Sequence, residues 1–473
     1  MILARNAVWV IVGVLFFSGC TSIALNEGFD EVKTKVHERS RTQIFWNNGT
    51  NLDQQATEKL SSLLKGKLTA DEVVQISLLN NRELQAVYSD LGVAQADLVQ
   101  AGLLSNPIFD GSVMFPLSGG GQPGLELSAA MNFLNIFYIP LRKRVAAARF
   151  EEVKTRVAGS VIDFAARVRA AFYLHQSNEQ MLDVRRTIVQ ALEASFEIAR
   201  RLFAVGNITD LDLVRERAQF EASKLALRSA EAAVRQSREQ LNILMGLWGK
   251  QTAWQSDHRL PEIPEEPSQT QELERLALEN SIDLLNARQR IILAGTQLGF
   301  NRWTALVPEL HSGPKGERSE GSWDLGPTLE FPIPLFDQGQ GRIGRAAAEL
   351  RRSQQEYYAV AVRIRSTARA VQDRLEGARD RALYYRDILL PLRERIVNEA
   401  QLQYNAMQLG PFQLLQAREQ QIETAAAYID ALREYWLARG DIGQLLSGRV
   451  PASSAVSIGG AGRQSNMNGT EGH

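Results

Sequence analysis

Apolar residues along this chain recur at two spacings, and the change from one to the other marks out its elements. After Pro107, Phe109, Gly111, Val113 and Phe115 alternate with Ile108, Asp110, Ser112 and Met114. Beyond the Gly119 to Gly124 turn, Leu125, Leu127, Ala129, Met131 and Phe133 alternate with Glu126, Ser128, Ala130 and Asn132. Period two predicts strands with one apolar face. Trp323, Leu325, Pro327, Leu329 and Phe331 repeat the pattern, preceded by a weaker strand from Leu306 to His311 and a polar turn from Ser312 to Ser322. Four strands follow, each long enough to cross a bilayer when tilted.

Elsewhere the spacing is three and four. Val153, Val157, Val161, Phe164, Val168 and Phe172, then Val184, Ile188, Leu192, Phe196, Ala199 and Phe203, predict one helix from about Arg142 to Phe203. At 1.5 Å per residue it would run ~90 Å. An alanine-rich helix returns over Asp210 to Met245, and a second pair runs from Arg342 to Ala406 and from Pro411 to Leu446.

The two sets are copies. Glu72, Leu78, Asn80 and Leu84 recur 200 positions on as Glu272, Leu278, Asn280 and Leu284, and Arg144, Phe203, Leu213 and Arg217 recur 201 on as Arg345, Tyr404, Leu414 and Arg418. Each half therefore holds several elements, in the order helix, two strands, very long helix, turn, helix. Thr69-Ala70-Asp71-Glu72 reads as a capping box opening the first half, and Ser268 to Gln271 is its counterpart.

The N-terminus changes the picture. Arg5, the apolar run Ala7 to Phe17 and small residues before Cys20 form a secretory signal too short to span a membrane. Cys20 is the only cysteine of 473 residues, which excludes an intrachain disulfide. Phe17-Ser18-Gly19-Cys20 resembles a bacterial lipobox, with Phe17 where Leu is usual, and Thr21 resembles the residue that follows in outer-membrane lipoproteins. Cys20 is thus the expected lipid attachment. No later run of eighteen apolar residues exists, so a membrane span has to be built from strands. Four strands leave open edges that lipid does not tolerate, and three chains would close them. A net charge of −1 without a basic stripe excludes nucleic acid as a partner.

The stretch Gly326 to Arg345 (GPTLEFPIPLFDQGQGRIGR), with Leu68-Thr69 through Gly102-Leu103-Leu104-Ser105-Asn106-Pro107, resembles the TolC-like outer-membrane efflux proteins. It is most similar to the branch serving resistance-nodulation-division pumps for heavy metals. The resemblance implies a mainly α fold with a membrane β-barrel portion: a homotrimer with a twelve-stranded barrel continued by a twelve-helix periplasmic barrel. It implies an outer-membrane location extending into the periplasm, a periplasmic adaptor and an inner-membrane pump as partners, and efflux of metal cations or small toxic compounds. A pore-less coiled-coil lipoprotein scaffold and a type I protein-secretion duct are the alternatives.

By the same resemblance, Val205 to Leu213 is a hairpin tip at the periplasmic end, where Asp210 and Asp212 are candidates for a gate and cation-selective ring. The same aspartates also suit a helix's first turn after a Thr209 cap. The second tip, Met407 to Pro411, has Gln413 in place of the acid. Gly206, Thr209, Gly410 and Pro411 are candidate adaptor contacts.

Other chemistry finds little support. Gly339-Gln-Gly341-Arg-Ile-Gly344 has the dinucleotide spacing, but a helix of some sixty residues follows it where a βαβ unit is required, so it reads as a bend. The five histidines share no ligand spacing, no metal or cofactor is expected, and no nucleophile elbow or Walker loop is present, so no enzyme is expected. The expected domains are a signal (1–19), an N-terminal equatorial segment (20–68), a first repeat (69–247), an acidic, proline-rich equatorial linker (248–270), a second repeat (271–448) and a disordered tail (449–473).

Overall fold

The computed structural model describes residues 26–47, 49, 51–115, 123–265, 272–306, 309–319, 322–333 and 335–452. The signal, Cys20, the turn at 119–122, the counterpart cap at 268–271 and residues 453–473 lie outside them. Over the described residues the chain divides into two compact units. One comprises segments 1–31, 88–154 and 289–354, the other 32–87, 155–288 and 355–473.

The first unit is organised by an antiparallel sheet in the order β2-β3-β5-β6, formed by β2 (Ile108–Met114), β3 (Gly124–Asn132), β5 (His311–Ser319) and β6 (Ser322–Glu330). β2, β3 and β6 fall where the alternation predicts. The third strand does not: residues 312–319, read as a polar turn, are strand, and the hairpin turns only after Ser319. The reason is that β5 contributes Ser312, Pro314, Gly316 and Arg318 to the apolar face, so hydropathy carries no sign of it. Its neighbours cover the gap. A Cβ on Gly316 would meet Leu325 Cδ2 at 3.2 Å and the Trp323 ring at 3.5 Å. Pairing on both sides thus overrides weak strand propensity.

Helices dominate the second unit. α1 (Phe29–Ser40) and α2 (Asn51–Leu63) precede a two-residue strand, β1 (Lys67–Leu68), which pairs in parallel with β4 (Gln255–Ser256) of the inter-repeat segment. α3 (Ala70–Asn80) opens on the expected cap: Thr69 Oγ1 accepts from Glu72 N at 3.3 Å and Glu72 Oε2 accepts from Thr69 N at 2.8 Å. α4 (Arg82–Ala101), α7 (Leu273–Glu279) and α8 (Ile282–Leu306) complete the openings of the two repeats.

Four longer elements follow. α5 (Leu134–Ala204) begins eight residues before the predicted Arg142, because Asn132 Oδ1 accepts from Leu134 N at 3.1 Å and starts the helix ahead of Pro140. Val157, Val161, Val168 and Phe172 are fully or almost fully buried, as their spacing requires. α6 (Asp210–Met245) and α11 (Pro411–Leu446) have the predicted bounds, offset by 201 at both ends. The second rod is interrupted. α9 (Gln340–Tyr384) and α10 (Leu390–Asn405) flank one π turn, Tyr385–Leu389. Pro391 lacks the N–H that would bond Asp387 and its ring crowds that carbonyl, which a widened turn accommodates.

Gly339 takes φ +75° immediately before α9, fitting the bend read from its sequence. The expected tail does not start at 449. Arg449 donates through Nε to both oxygens of Asp163 at 3.0 Å and through Nη1 to Asp283, while Val450 N donates to Asp283 Oδ2 at 2.9 Å. These residues are packed, anchored by one carboxylate from each repeat.

Candidate functional site

Both helical hairpins turn in the same way, and the hydrogen bonds show the repeat more sharply than the side chains do. At the first tip, Gly206 N donates to Phe203 O and Asn207 N to Leu202 O, both at 2.9 Å. At the second, Met407 N donates to Tyr404 O at 3.0 Å and Gln408 N to Gln403 O at 2.9 Å, each 201 positions on. Both close their helix with a left-handed residue. Gly206 has φ +75° and Met407 has φ +58°.

A left-handed side-chain residue carries about 1 kcal/mol of local strain. Met407 is 95% exposed, so its side chain has little packing to lose. Met407→Gly is expected to raise stability by about 0.5–1 kcal/mol, read as a higher unfolding temperature. The paired variant, Gly206→Met, should lower it by a similar amount.

After each turn the next helix is capped differently. Thr209 Oγ1 accepts from Asp212 N at 3.2 Å, and Asp212 Oδ2 accepts from the Thr209 hydroxyl at 2.7 Å and its amide at 3.3 Å. That hydroxyl first, then that amide, hold the Asp212 carboxyl below its ordinary range. Asp212 is therefore a capping residue that stays ionised, and Asp210 sits exposed beside it. Gly410 makes no side-chain cap bond and Pro411 takes the first helical position.

Just inside the tips, α5, α6 and α11 enclose a cavity of about 250 Å³ lined by Ile188, Leu192, Phe412 and Ile422 with Glu216 and Glu419. Ser195 Oγ donates to Glu216 Oε2 at 2.5 Å. Burial, then Glu423 and Glu216, push the Glu419 carboxyl up. Sequence reading missed these acids; their signal was the four-residue spacings Asp212 to Glu216 and Glu419 to Glu423.

In the sheet unit, the register places Phe109, Val113, Leu127, Leu325 and Leu329 on one face, 49–82% exposed. The opposite face carries Ser112, Glu126, Glu317 and Asp324 side by side across all four strands. Three adjacent carboxylates repel, and Lys315 relieves one of them through a 2.7 Å contact with Glu126. Among the described residues β2 and β6 each lack an outer partner. Such an apolar face with open edges suits closure by further strands in lipid.

The described residues thus combine two copies of a long helical hairpin with one four-stranded amphipathic sheet. Residues 73–247 match the family described as outer membrane efflux protein. It is 21% identical over 398 residues to the cobalt-zinc-cadmium resistance protein CzcC of Cupriavidus metallidurans, covering 80% of this chain and 90% of that one. Among solved structures it is similar to CusC (TM-score 0.63, 16% identity, 80% and 92% of the two chains). It is equally similar to the outer membrane channel CmeC of Campylobacter jejuni (TM-score 0.63, 15% identity, 88% and 92%). Among the described residues no helix is long and apolar enough to cross a membrane.

Proposed function

We propose that this chain is one of three identical subunits of an outer-membrane channel, the exit duct of a tripartite efflux system. The observation that carries the reading is the sheet: four strands with an exposed apolar face, a charged opposite face and two open edges. Three copies supply twelve strands, close every edge and turn the polar face towards a lumen. The hairpins α5–α6 and α9–α11 then line a periplasmic conduit. A periplasmic adaptor and an inner-membrane resistance-nodulation-division pump complete the system and supply its energy, because a duct only conducts.

Metal cations are the cargo this reading favours. Likeness to CzcC supports it, as does the row Glu126, Glu317 and Asp324, which in a trimer becomes a ring of carboxylates. Cys20 carries the lipid anchor. Asp210 and Asp212 form the aperture acids, and Gly206, Thr209, Gly410 and Pro411 meet the adaptor.

The test is conduction by the purified mature protein in a planar bilayer, with its mass measured in parallel. The expected result is a trimer with discrete, cation-selective conductance. Asp210→Ala with Asp212→Ala should raise conductance on the order of twofold by widening the aperture, and Glu317→Gln with Asp324→Asn should reduce cation preference. A folded trimer that conducts nothing, with or without the tip substitutions, would replace the channel with a pore-less scaffold.

A further inference from the structure

We propose that Glu179 is a proton-operated fastener for the segment between the two repeats: ionised, it holds His258; protonated, it turns to His175 and lets that segment go. The case starts from a histidine with only one possible tautomer. His175, on α5, is fully buried, with its ring edge-on to Trp254 at 5.4 Å. Its Nδ1 lies 2.8 Å from Ser237 Oγ. Ser237 spends its own proton on Val234 O at 3.0 Å, so its oxygen accepts and His175 Nδ1 is the N–H. Nε2 is then a bare lone pair.

That lone pair makes no hydrogen bond and faces Glu179 Oε1, one turn further along α5, at 3.5 Å. Two acceptors facing each other in a buried site need a proton or a cation between them. No group of histidine, cysteine and carboxylate side chains among the described residues is arranged to hold a metal, which favours the proton. Burial places that proton on the oxygen. It pushes the Glu179 carboxyl up against the pull of His258 and Arg238, and it pushes His175, with Arg238 and then His258 reinforcing it, down to about 4. The step balances simply: a proton from water adds to Glu179 Oε1, and the new O–H donates to His175 Nε2.

Glu179's other partners are on the inter-repeat segment. His258 Nδ1 stands 3.1 Å from Oε1, and Ser256 Oγ lies 3.5 Å from Oε2. Neutral groups supply several further bonds to this segment. Gln176 Nε2 donates to the carbonyls of Asp257 and Arg259, Gln180 Oε1 accepts from Leu260 N, and Trp436 Nε1 donates to Pro261 O. The titratable and charged groups around the site are Arg238 of α6, stacked on Trp254; Asp257, paired with Lys67 of β1 at 3.1 Å; His258; and Arg439 of α11, over Trp436. Protonating Glu179 removes the carboxylate charge that holds His258, so acid should weaken the hold on Ser256 and His258 and loosen the segment, while the neutral bonds from Gln176, Gln180 and Trp436 keep it from detaching.

Hydrogen exchange of the full-length protein in detergent, corrected for intrinsic rates, tests this without reference to transport. Protection of residues 254–260 is expected to fall about threefold as the pH is lowered from about 7.5 to Glu179's ordinary 4.5, because a raised carboxyl has taken up its proton by then. His258→Ala, at a largely exposed position, should show the low value throughout. Glu179→Gln should be low and flat, and should lose an infrared carboxylic-acid band that the parent gains in acid. Protection that does not respond to pH in the parent, or a response that survives in Glu179→Gln, overturns the proposal. Protection set by added zinc instead of pH overturns it in favour of a cation.

Discussion

Arg449→Met should destabilise the protein by about 3 kcal/mol, the lower end of the cost of removing one partner from a buried ionic network. The guanidinium is 22% exposed, and its partners Asp163 and Asp283 are 29% and 20% exposed, so water screens them only partly. Asp163 also accepts from Gln444 Nε2 at 2.8 Å, and Gly159 leaves room for the arginine, since a Cβ there would stand 3.2 Å from it. Met keeps much of the volume and removes the charge, leaving two carboxylates near one another without the guanidinium they share; Arg363 still acts on Asp283, but less than Arg449 does.

The pH dependence of the deficit identifies its origin. Burial already raises the Asp283 carboxyl above its ordinary 3.8, with Arg449 opposing. A raised carboxyl binds its proton more tightly folded than unfolded, so its penalty is present at neutral pH and relieved as pH falls. Without Arg449 the rise is larger. The difference between parent and variant should therefore be greatest near neutrality and shrink on acidification towards 3.8. Denaturant unfolding across that range measures it; a deficit independent of pH would mean that Arg449 acts through packing alone.

Gly313→Val should prevent the sheet from forming. A Cβ at Gly313 would lie 1.7 Å from Ala129 O and 2.8 Å from its carbonyl carbon, both main-chain atoms that no rotamer change can move. β3 and β5 must separate, and Pro314, opposite Pro327, already leaves this part of the ladder short of donors. The cost exceeds the ~3 kcal/mol typical of overpacking. The checks are a change in mass from the parent's assembly and loss of strand signal, with Gly326→Val, which has open space around it, as the matched control. Normal assembly of Gly313→Val would show that the two strands do not approach this closely.

Much of this fold was legible from local signals. Thr69 with Glu72 and Thr209 with Asp212 form their capping boxes because three-residue spacing suffices to bring side chain and amide together. Asp210, Met245, Pro411 and Leu446 bound their helices where the pattern placed them. At the tips, both turns were read from the sequence, but not their left-handed residues: Gly206 takes that conformation freely, whereas at Met407 the helix ending around it imposes it. The acids of the cavity were missed, because four-residue spacings along two helices do not reveal that the helices meet.

The sequence by itself determined the periodicities, the caps and the doubling of the chain, all of which depend on residues a few positions apart or on direct comparison of the two halves. Tertiary structure alone decided that residues 312–319 are a strand, because β5 derives its order from Leu325, Trp323 and β3 and not from its own side chains. It alone joined Arg449 to Asp163 and Asp283, and set Glu179 against His258. Those contacts link residues as much as 286 apart, and the free energy of such a meeting depends on burial and charge that exist only once the helices have packed.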